Sequence, residues 1–150
     1  MNKRERSIVY GTVLGDGFVQ KTGQKNARIR FEHGAAQKEY IFWKWSELKR
    51  YMQDKPKYLE RFNPVWQKKY AYYRCQTHSS PEFGKLQRLF YKDNIKVIPD
   101  SINKCLSDPL TLAVWFMDDG YYYRRDKTAY IYLSKLTDED VRKLLDALAN

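Results

Sequence analysis

Long hydrophobic runs, cysteine patterns and linker-like segments are all missing from this sequence of 150 residues. No apolar run approaches the roughly 18 residues that cross a membrane, and the charged start leads into no signal-peptide core. We therefore expect an intracellular protein without a membrane partner. Cys75 and Cys105 form no CxxC or Cys/His cluster, which argues against a zinc site or a disulfide framework, and we expect both to be reduced.

Acidic residues are scarce relative to basic ones. The chain has 28 lysines and arginines against 18 aspartates and glutamates, a formal net charge of +10 and a pI near 9.5, so a polyanion is the first partner to consider. Disorder does not follow from this charge, because 43% of the residues are hydrophobic and 16% are aromatic. A chain of this length and composition buries a core of its own.

One pattern occurs twice in the chain. Residues 8–17 and residues 110–120 are each apolar until they end in Asp-Gly, and the two aspartates, Asp16 and Asp119, lie 103 positions apart. Strand-like alternation of apolar and polar residues follows each Asp-Gly. The repetition predicts a helix followed by two strands in each half of the chain.

Alternation and helical spacing also place the remaining elements. They predict strands at residues 27–31, 68–77 and 128–134, and helices at residues 41–52, 81–90, from Pro109 after the cap Asp108, and from Thr137 onward. In the last strand Ala129, Ile131 and Leu133 are expected to face a core, leaving Thr128, Tyr130, Tyr132 and Ser134 on the other side. We expect further core side chains from the last helix and from the tryptophans, namely Val141, Leu144, Leu145 and Leu148, and Trp43, Trp45, Trp66 and Trp115.

The two Asp-Gly pairs suggest a metal site. Burying a carboxylate at the end of an apolar helix is costly unless a positive group compensates it. If the two helices pack side by side, Asp16 and Asp119 emerge at the same end, and their oxygens suit Mg²⁺, a hard ion. Gly11, Gly15 and Ala113 would allow the helices to approach closely. The alternatives are a plain helix-ending turn at each Asp-Gly and tight helix packing without a metal.

Three blocks of the sequence resemble the LAGLIDADG homing endonucleases that carry two motifs in one chain: VYGTVLGDG at residues 9–17, LAVWFMDDG at residues 112–120 and FYKDNIKVIP at residues 90–99. The resemblance implies an α+β fold of two αββαββα halves, with the motif helices at the centre and curved antiparallel sheets forming a saddle over duplex DNA. It divides the chain into a first half with a connecting segment, residues 1–108, and a second half, residues 109–150. That second half is expected to be incomplete, because the family places two more strands, a helix and a second lysine downstream.

The same resemblance implies a site for phosphodiester hydrolysis. Asp16 and Asp119, the last acidic residues of the motifs, would bind divalent ions, Mg²⁺ or Mn²⁺, helped by the carbonyls of Gly15 and Asp118. Such ions activate water and stabilise the leaving oxygen, so no covalent enzyme intermediate is needed. Lys96 matches the active-site lysine of the family, which would polarise water or offset charge in the transition state. Without the motifs, Lys96 would be one more solvated basic residue.

Alternation also assigns strand faces that could meet DNA. Basic, amide and tyrosine side chains lie on the polar face of the predicted strands or follow the second Asp-Gly. These candidate DNA-facing residues are Arg28, Arg30, Lys68, Tyr70, Tyr72, Arg74, Gln76, Arg124, Arg125, Tyr130 and Tyr132. Arginine favours guanine and glutamine favours adenine in the major groove, while lysines contact phosphates. An ordinary solvated sheet is the alternative for each residue. His33 and His78 belong to no motif and receive no role.

The leading functional hypothesis is a site-specific, metal-dependent endonuclease of a mobile intron or intein that cuts double-stranded DNA at a long target site. A complete double-motif chain is expected to act as a monomer in the compartment that holds the host DNA. The alternative is an intron RNA maturase, which binds its own intron RNA, or a noncatalytic DNA-binding descendant of the same fold. A basic ribosome-associated domain would explain the charge but not the paired motifs.

Overall fold

A computed structural model describes residues 1–133 and 135–150; the expectation for Ser134 lies outside the described residues. In chain order the helices and strands are α1 (Lys3–Leu14), β1 (Phe18–Lys21), β2 (Ala27–Gly34), α2 (Lys38–Glu47), β3 (Lys57–Asn63), β4 (Lys68–Gln76), α3 (Pro81–Phe90), β5 (Tyr91–Lys92), β6 (Ile95–Lys96), α4 (Ile102–Cys105), α5 (Pro109–Asp119), β7 (Gly120–Tyr123), β8 (Thr128–Ile131) and α6 (Asp138–Ala149). The described helices include none that is long and apolar enough to cross a membrane.

The chain forms two compact units, which are described separately. The first, here called the motif unit, comprises Met1–Gly15 and Leu86–Asn150, and the second, the sheet unit, comprises Asp16–Lys85. Both cysteines are free and buried. Burial raises the pKa of the Cys75 thiol to about 12 and that of the Cys105 thiol to about 11, so neither is an activated thiolate at neutral pH.

The sheet unit is built on a four-stranded antiparallel sheet with strand order β1-β2-β4-β3. Burial alternates along β2: Ile29 and Phe31 are buried, and Arg28 and Arg30 are half-buried on the opposite face, as the sequence pattern predicts. Helix α2 contacts β2 and β4. The sheet therefore has an apolar inner face and a polar outer face.

In the motif unit, α1 and α5 both begin at side-chain caps. The Asn2 side chain accepts a hydrogen bond from the Glu5 backbone N–H, and Asp108 accepts one from Leu110 ahead of Pro109, which confirms the predicted start of α5. Helix α6 contacts α4. Its Asp140 carboxylate accepts a hydrogen bond from the Ile98 backbone N–H at 3.3 Å.

Several apolar side chains expected in the core are exposed. Ala129 and Leu133 are exposed and Ile131 is half-buried, because β7 and β8 form only a two-stranded hairpin whose apolar side faces an open groove beside α5. Of the four α6 side chains expected in the core, Leu144 is buried and Val141 is half-buried, whereas Leu145 and Leu148 are exposed.

The four tryptophans differ in their exposure to solvent. Trp115 is buried and Trp43 and Trp45 are half-buried, but Trp66 is exposed. Trp66 lies in the turn that joins β3 to β4, so its side chain extends beyond the paired strands. The expectation of a core position for Trp66 was wrong.

Candidate functional site

The motif helices α1 and α5 pack in parallel and at very short range. A Cβ atom built on Gly11 would lie 2.6 Å from the Val114 Cβ, and one built on Gly15 would lie 2.5 Å from the Asp118 Cβ. Both contacts join positions 103 residues apart, the separation of Asp16 and Asp119 in the sequence. The repeat in the sequence is therefore also a repeat in the packing, with equivalent motif positions facing each other.

Glycine is required at both contacts because no side chain fits. Opposite Gly11 the near atoms belong to Thr111 and Val114. Ala113, which was expected to line this interface, is exposed and lies in the groove beside the β7–β8 hairpin instead. The helical turn places positions 111, 114 and 118 on one face of α5, and position 113 points away from that face.

Lys96 reaches the C-terminal end of α1. Its Nζ donates a hydrogen bond to the Gly15 carbonyl oxygen at 3.1 Å, across 81 residues of chain. The short β5–β6 hairpin, in which Tyr91 pairs with Lys96, holds the lysine in place. A cation is favourable at this end of a helix, where unpaired carbonyls carry partial negative charge. The motif unit thus brings the predicted lysine to the predicted carbonyl, beside the Asp118 carboxylate that packs on Gly15.

Asp119 ends α5 at the point where the β7–β8 hairpin begins. The residue is half-buried, and its backbone carbonyl accepts a hydrogen bond from the Tyr132 N–H at 3.0 Å. The predicted DNA-facing residues of this hairpin, Arg124, Arg125, Tyr130 and Tyr132, are all exposed. Tyr130 pairs across the strands with Tyr121, so the hairpin presents aromatic and basic side chains to solvent.

In the sheet unit, Asp16 lies at the end of a row of polar side chains that leads into the core. Its Oδ2 is 3.8 Å from His33 Nδ1, and the Asp16 side chain is 43% exposed. On the other side of the ring, His33 Nε2 lies 3.1 Å from the Lys44 Nζ. Lys44 is fully buried, and its ammonium lies 4.5 Å from the centre of the Tyr40 ring.

A pocket of about 470 Å³ connects Asp16 with the outer face of the sheet. Its lining includes Asp16, His33, Arg30, Glu32 and Tyr70. The Asp16 carboxylate and the polar side chains of the strands therefore line the same pocket of the sheet unit.

The outer face of the sheet carries the other predicted DNA-facing residues. The register brings Arg30 opposite Gln76, Glu32 opposite Arg74, and Arg61 opposite Tyr70. Glu32 pairs with both Arg61 and Arg74, the latter through Nε at 3.0 Å and Nη2 at 2.9 Å. Lys68 is exposed, and Arg28 and Gln76 are half-buried and engaged with Gln20 and Gln53.

Tyr72 lies on this face but is only 6% exposed. Its ring is covered by the guanidinium groups of Arg61 at 4.7 Å and Arg74 at 5.5 Å and stacks on Tyr70 at 5.9 Å. Tyr72 therefore supports the two arginines and exposes little surface of its own.

Sequence reasoning missed two residues of this region, His33 and Lys44. A signal for each was present. His33 follows Ile29 and Phe31 at every second position of β2, so it lies on the same inward face of the strand. Lys44 falls within the apolar stripe of α2 that includes Ile41 and Leu48. A cation inside an apolar stripe and a histidine on an inward strand position both predict a buried polar contact.

The motif unit has two parallel helices packed at equivalent motif positions, with a lysine at the end of one of them. The sheet unit has an antiparallel sheet with a basic outer face. These features agree with the expected LAGLIDADG type of fold. The chain belongs to the LAGLIDADG DNA endonuclease family, whose model matches residues 6–150. The family assignment and the α+β fold class with antiparallel sheets are therefore confirmed.

Comparison with individual proteins gives three informative relatives. The structure of the homing endonuclease I-WcaI bound to its DNA recognition sequence has a TM-score of 0.85 and 27% identity, and the match covers 98% of this chain and 66% of that chain. Protein RecA of Mycolicibacterium flavescens is 30% identical over 85% of this chain and 28% of its own length. Cytochrome b mRNA maturase bI2 of Saccharomyces cerevisiae is 33% identical over 80% of this chain and 30% of its own length. The chain thus spans less than a third of these two curated relatives.

Endonucleases of this family generally use divalent metal ions. Each unit holds oxygen donors of the kind that such ions take: Asp118, Asp119 and the Gly15 carbonyl in the motif unit, and the Asp16 carboxylate in the sheet unit. Asp16 is open to solvent, and Asp118 and Asp119 are half-buried. Hard oxygen donors with an entry path from solvent are suited to hard divalent ions.

Proposed function

We propose that this chain is the DNA-cutting part of a homing endonuclease, which hydrolyses phosphodiester bonds of double-stranded DNA at a long target site of a mobile intron or intein. The observation that carries the proposal is the hydrogen bond from Lys96 Nζ to the Gly15 carbonyl, because it brings the lysine of one motif block to the acidic end of another. The division into halves 1–108 and 109–150 and action in the compartment of the host DNA are parts of this proposal.

Asp16 and Asp119 are the proposed metal ligands, with the carbonyls of Gly15 and Asp118 as further oxygen donors. A bound Mg²⁺ or Mn²⁺ supplies an activated water and neutralises charge on the leaving oxygen. Lys96 is already held by a hydrogen bond, and its ammonium can polarise a water or offset negative charge in the transition state. No side chain of the chain needs to act as a covalent nucleophile.

The DNA contacts are assigned to the outer face of the sheet and to the β7–β8 hairpin. Arg28, Arg30 and Gln76 are the proposed base-reading residues of the sheet, and Lys68 is a proposed phosphate contact. The Arg74 guanidinium group is held in place by its hydrogen bonds to Glu32 and by the Tyr72 ring. Arg74 is therefore a proposed DNA contact that is oriented before DNA binds, and Tyr72 supports it. Tyr70, Arg124, Arg125, Tyr130 and Tyr132 present exposed surface for the duplex.

The proposal is tested by cleavage of duplex DNA that carries the rejoined flanks of the host element, with Mg²⁺ and with EDTA. Asp16→Asn and Asp119→Asn are each expected to abolish cutting while DNA binding remains. Asp146→Asn on exposed α6 is the matched control, since it makes the same change in net charge away from the motifs. Metal-dependent cutting that survives both motif substitutions would contradict the assignment.

Lys96 is tested by comparison with a neighbour. Lys96→Met is expected to slow the cutting step by about 100-fold or more, the usual contribution of a positioned proton-transfer or charge-stabilising group. Lys92→Met in the same hairpin, at an exposed position, is expected to leave the single-turnover rate unchanged. If the two variants lose the same fraction of the cutting rate, the loss is due to a disturbed hairpin or to the lower positive charge, and the specific role of Lys96 is contradicted.

A second candidate function, binding of intron RNA, is favoured by the 33% identity to a cytochrome b mRNA maturase. The same basic faces would then meet RNA, and the acidic residues would be dispensable. Specific RNA binding and support of splicing by the Asp16→Asn variant, together with no DNA cutting by the unaltered chain under any metal condition, would replace the endonuclease proposal with this one.

A further inference from the structure

Lys44 is an unusual residue for the centre of a hydrophobic core. It lies on α2 with no exposed surface, and removing an ammonium group from water is costly unless partners compensate it. The described partners include His33 Nε2 at 3.1 Å and the Tyr40 ring at 4.5 Å. Its positive charge also acts on the buried Cys75 thiol, where it opposes the burial that raises the pKa.

The contact with Lys44 determines which nitrogen of His33 carries the proton. An ammonium group is a donor without acceptor capacity, so the ring nitrogen beside it must accept. If Nε2 accepts, the proton of the neutral ring is on Nδ1. The His33 side chain is only 2% exposed, so water does not readily compete for either nitrogen.

The other ring nitrogen of His33, Nδ1, faces Asp16. The 3.8 Å from His33 Nδ1 to Asp16 Oδ2 is longer than a direct hydrogen bond. Because the Asp16 side chain is 43% exposed, it can move by the short distance required, and functional hydrogen bonds often tighten only when the substrate is bound. After such a movement, a donor at Nδ1 would hold one carboxylate oxygen and leave the other free to face the pocket that Asp16 lines.

We infer that Lys44 and His33 are positioning residues for Asp16. The buried Lys44 ammonium fixes His33 as its Nδ1-protonated tautomer, and the Nδ1–H group orients the Asp16 carboxylate. This inference rests on the proposed function of Asp16. It also assigns His33 as a donor to Asp16, which excludes the same Nδ1 as a metal ligand while it carries the proton.

The first test is the tautomer of His33 in the metal-free protein. The chain has only two histidines, so ¹⁵N NMR of the ring nitrogens can be assigned by comparison with His33→Asn, and exposed His78 serves as the internal reference. We expect a protonated Nδ1 and an accepting Nε2 for His33. A proton on Nε2 in the unaltered protein would overturn the inference.

The second test removes the cation. Lys44→Met is expected to populate the Nε2-protonated form of His33 and to slow single-turnover DNA cutting by about 10-fold to 100-fold, the range seen when groups behind a site residue are removed. DNA affinity should remain unchanged. The matched control is Lys38→Met, because Lys38 is an exposed lysine of the same helix that lies over the Phe42 ring. An unchanged tautomer in Lys44→Met, or an equal loss of rate in Lys38→Met, would contradict the inference.

A third comparison remains informative if Lys44→Met does not fold. His33→Asn keeps an amide N–H close to the position of Nδ1, whereas His33→Ala removes the donor. We expect the asparagine variant to retain most of the cutting rate and the alanine variant to lose about 10-fold or more. Equal rates would overturn the role of His33. If the unaltered chain cuts no DNA at all, the proposed function fails, but the NMR test still decides whether the Lys44–His33 pair is arranged as inferred.

Discussion

The close packing of the motif helices makes Gly11→Ala a sharp test. The added Cβ would lie 2.6 Å from the Thr111 carbonyl oxygen and 2.6 Å from the Val114 Cβ, whereas ordinary contacts begin near 3.4 Å. The Thr111 oxygen belongs to the backbone and cannot rotate away, so the helices must separate by roughly 0.8 Å or distort. Overpacking of this kind costs about 1–3 kcal/mol.

The helix propensity of alanine acts in the opposite direction. Replacing glycine within a helix gains about 1 kcal/mol, so with the packing cost near its upper end we expect a net loss of about 2 kcal/mol. For a chain of this size this corresponds to a fall in Tm of about 4–8 °C. Thermal and denaturant unfolding of purified variants measure both quantities.

Gly23→Ala is the matched control for this experiment. The nearest atom to a Cβ at Gly23 is the Asn26 Cβ at 3.9 Å, and no described glycine has positive φ. Alanine is therefore compatible there and should be neutral or stabilising by up to about 1 kcal/mol. If Gly11→Ala is as stable as Gly23→Ala, the short approach of α1 and α5 is not what holds the motif unit together.

Three further predictions concern capping, pH and salt. Thr137→Ala should destabilise α6 by about 1 kcal/mol in denaturant unfolding, because Thr137 Oγ1 accepts the Asp140 backbone N–H at 3.1 Å; an unchanged midpoint would show that this cap contributes nothing. The hydrogen bond from Lys143 holds the pKa of Asp100 below its usual value, so the pair stabilises above about pH 4 and the stabilisation is lost as the pH falls. Unfolding at pH 6 and pH 3 should show a decline that is smaller in Asp100→Asn, with the remainder due to other carboxyls such as Asp108, whose pKa is also lowered; an equal decline in that variant would show that the Asp100–Lys143 pair contributes nothing. Glu32→Gln should release Arg61 and Arg74, raise DNA affinity at low salt and steepen the slope of log affinity against log salt by about one; an unchanged slope would place both arginines away from phosphate.

Much of the fold was predictable because the signals are local. Alternation along residues 27–31 identified both faces of β2, and Asp108 with Pro109 marked the first turn of α5. The exposure of Trp66, Leu145 and Leu148 was not predictable in this way, because apolar spacing shows which side of an element is apolar but not what covers that side.

The sequence by itself determined the family and the chemical character of the site, since two Asp-Gly motifs, a lysine block and a basic composition are properties of residue order. Which atoms meet was decided only by the tertiary structure. The same helical turn that brings Val114 and Asp118 against Gly11 and Gly15 points Ala113 away, and only folding places Lys44 behind His33 and Asp16. The reason is physical: a buried ammonium and a short helix contact depend on groups distant in the sequence, and their energies exist only once those groups share a core.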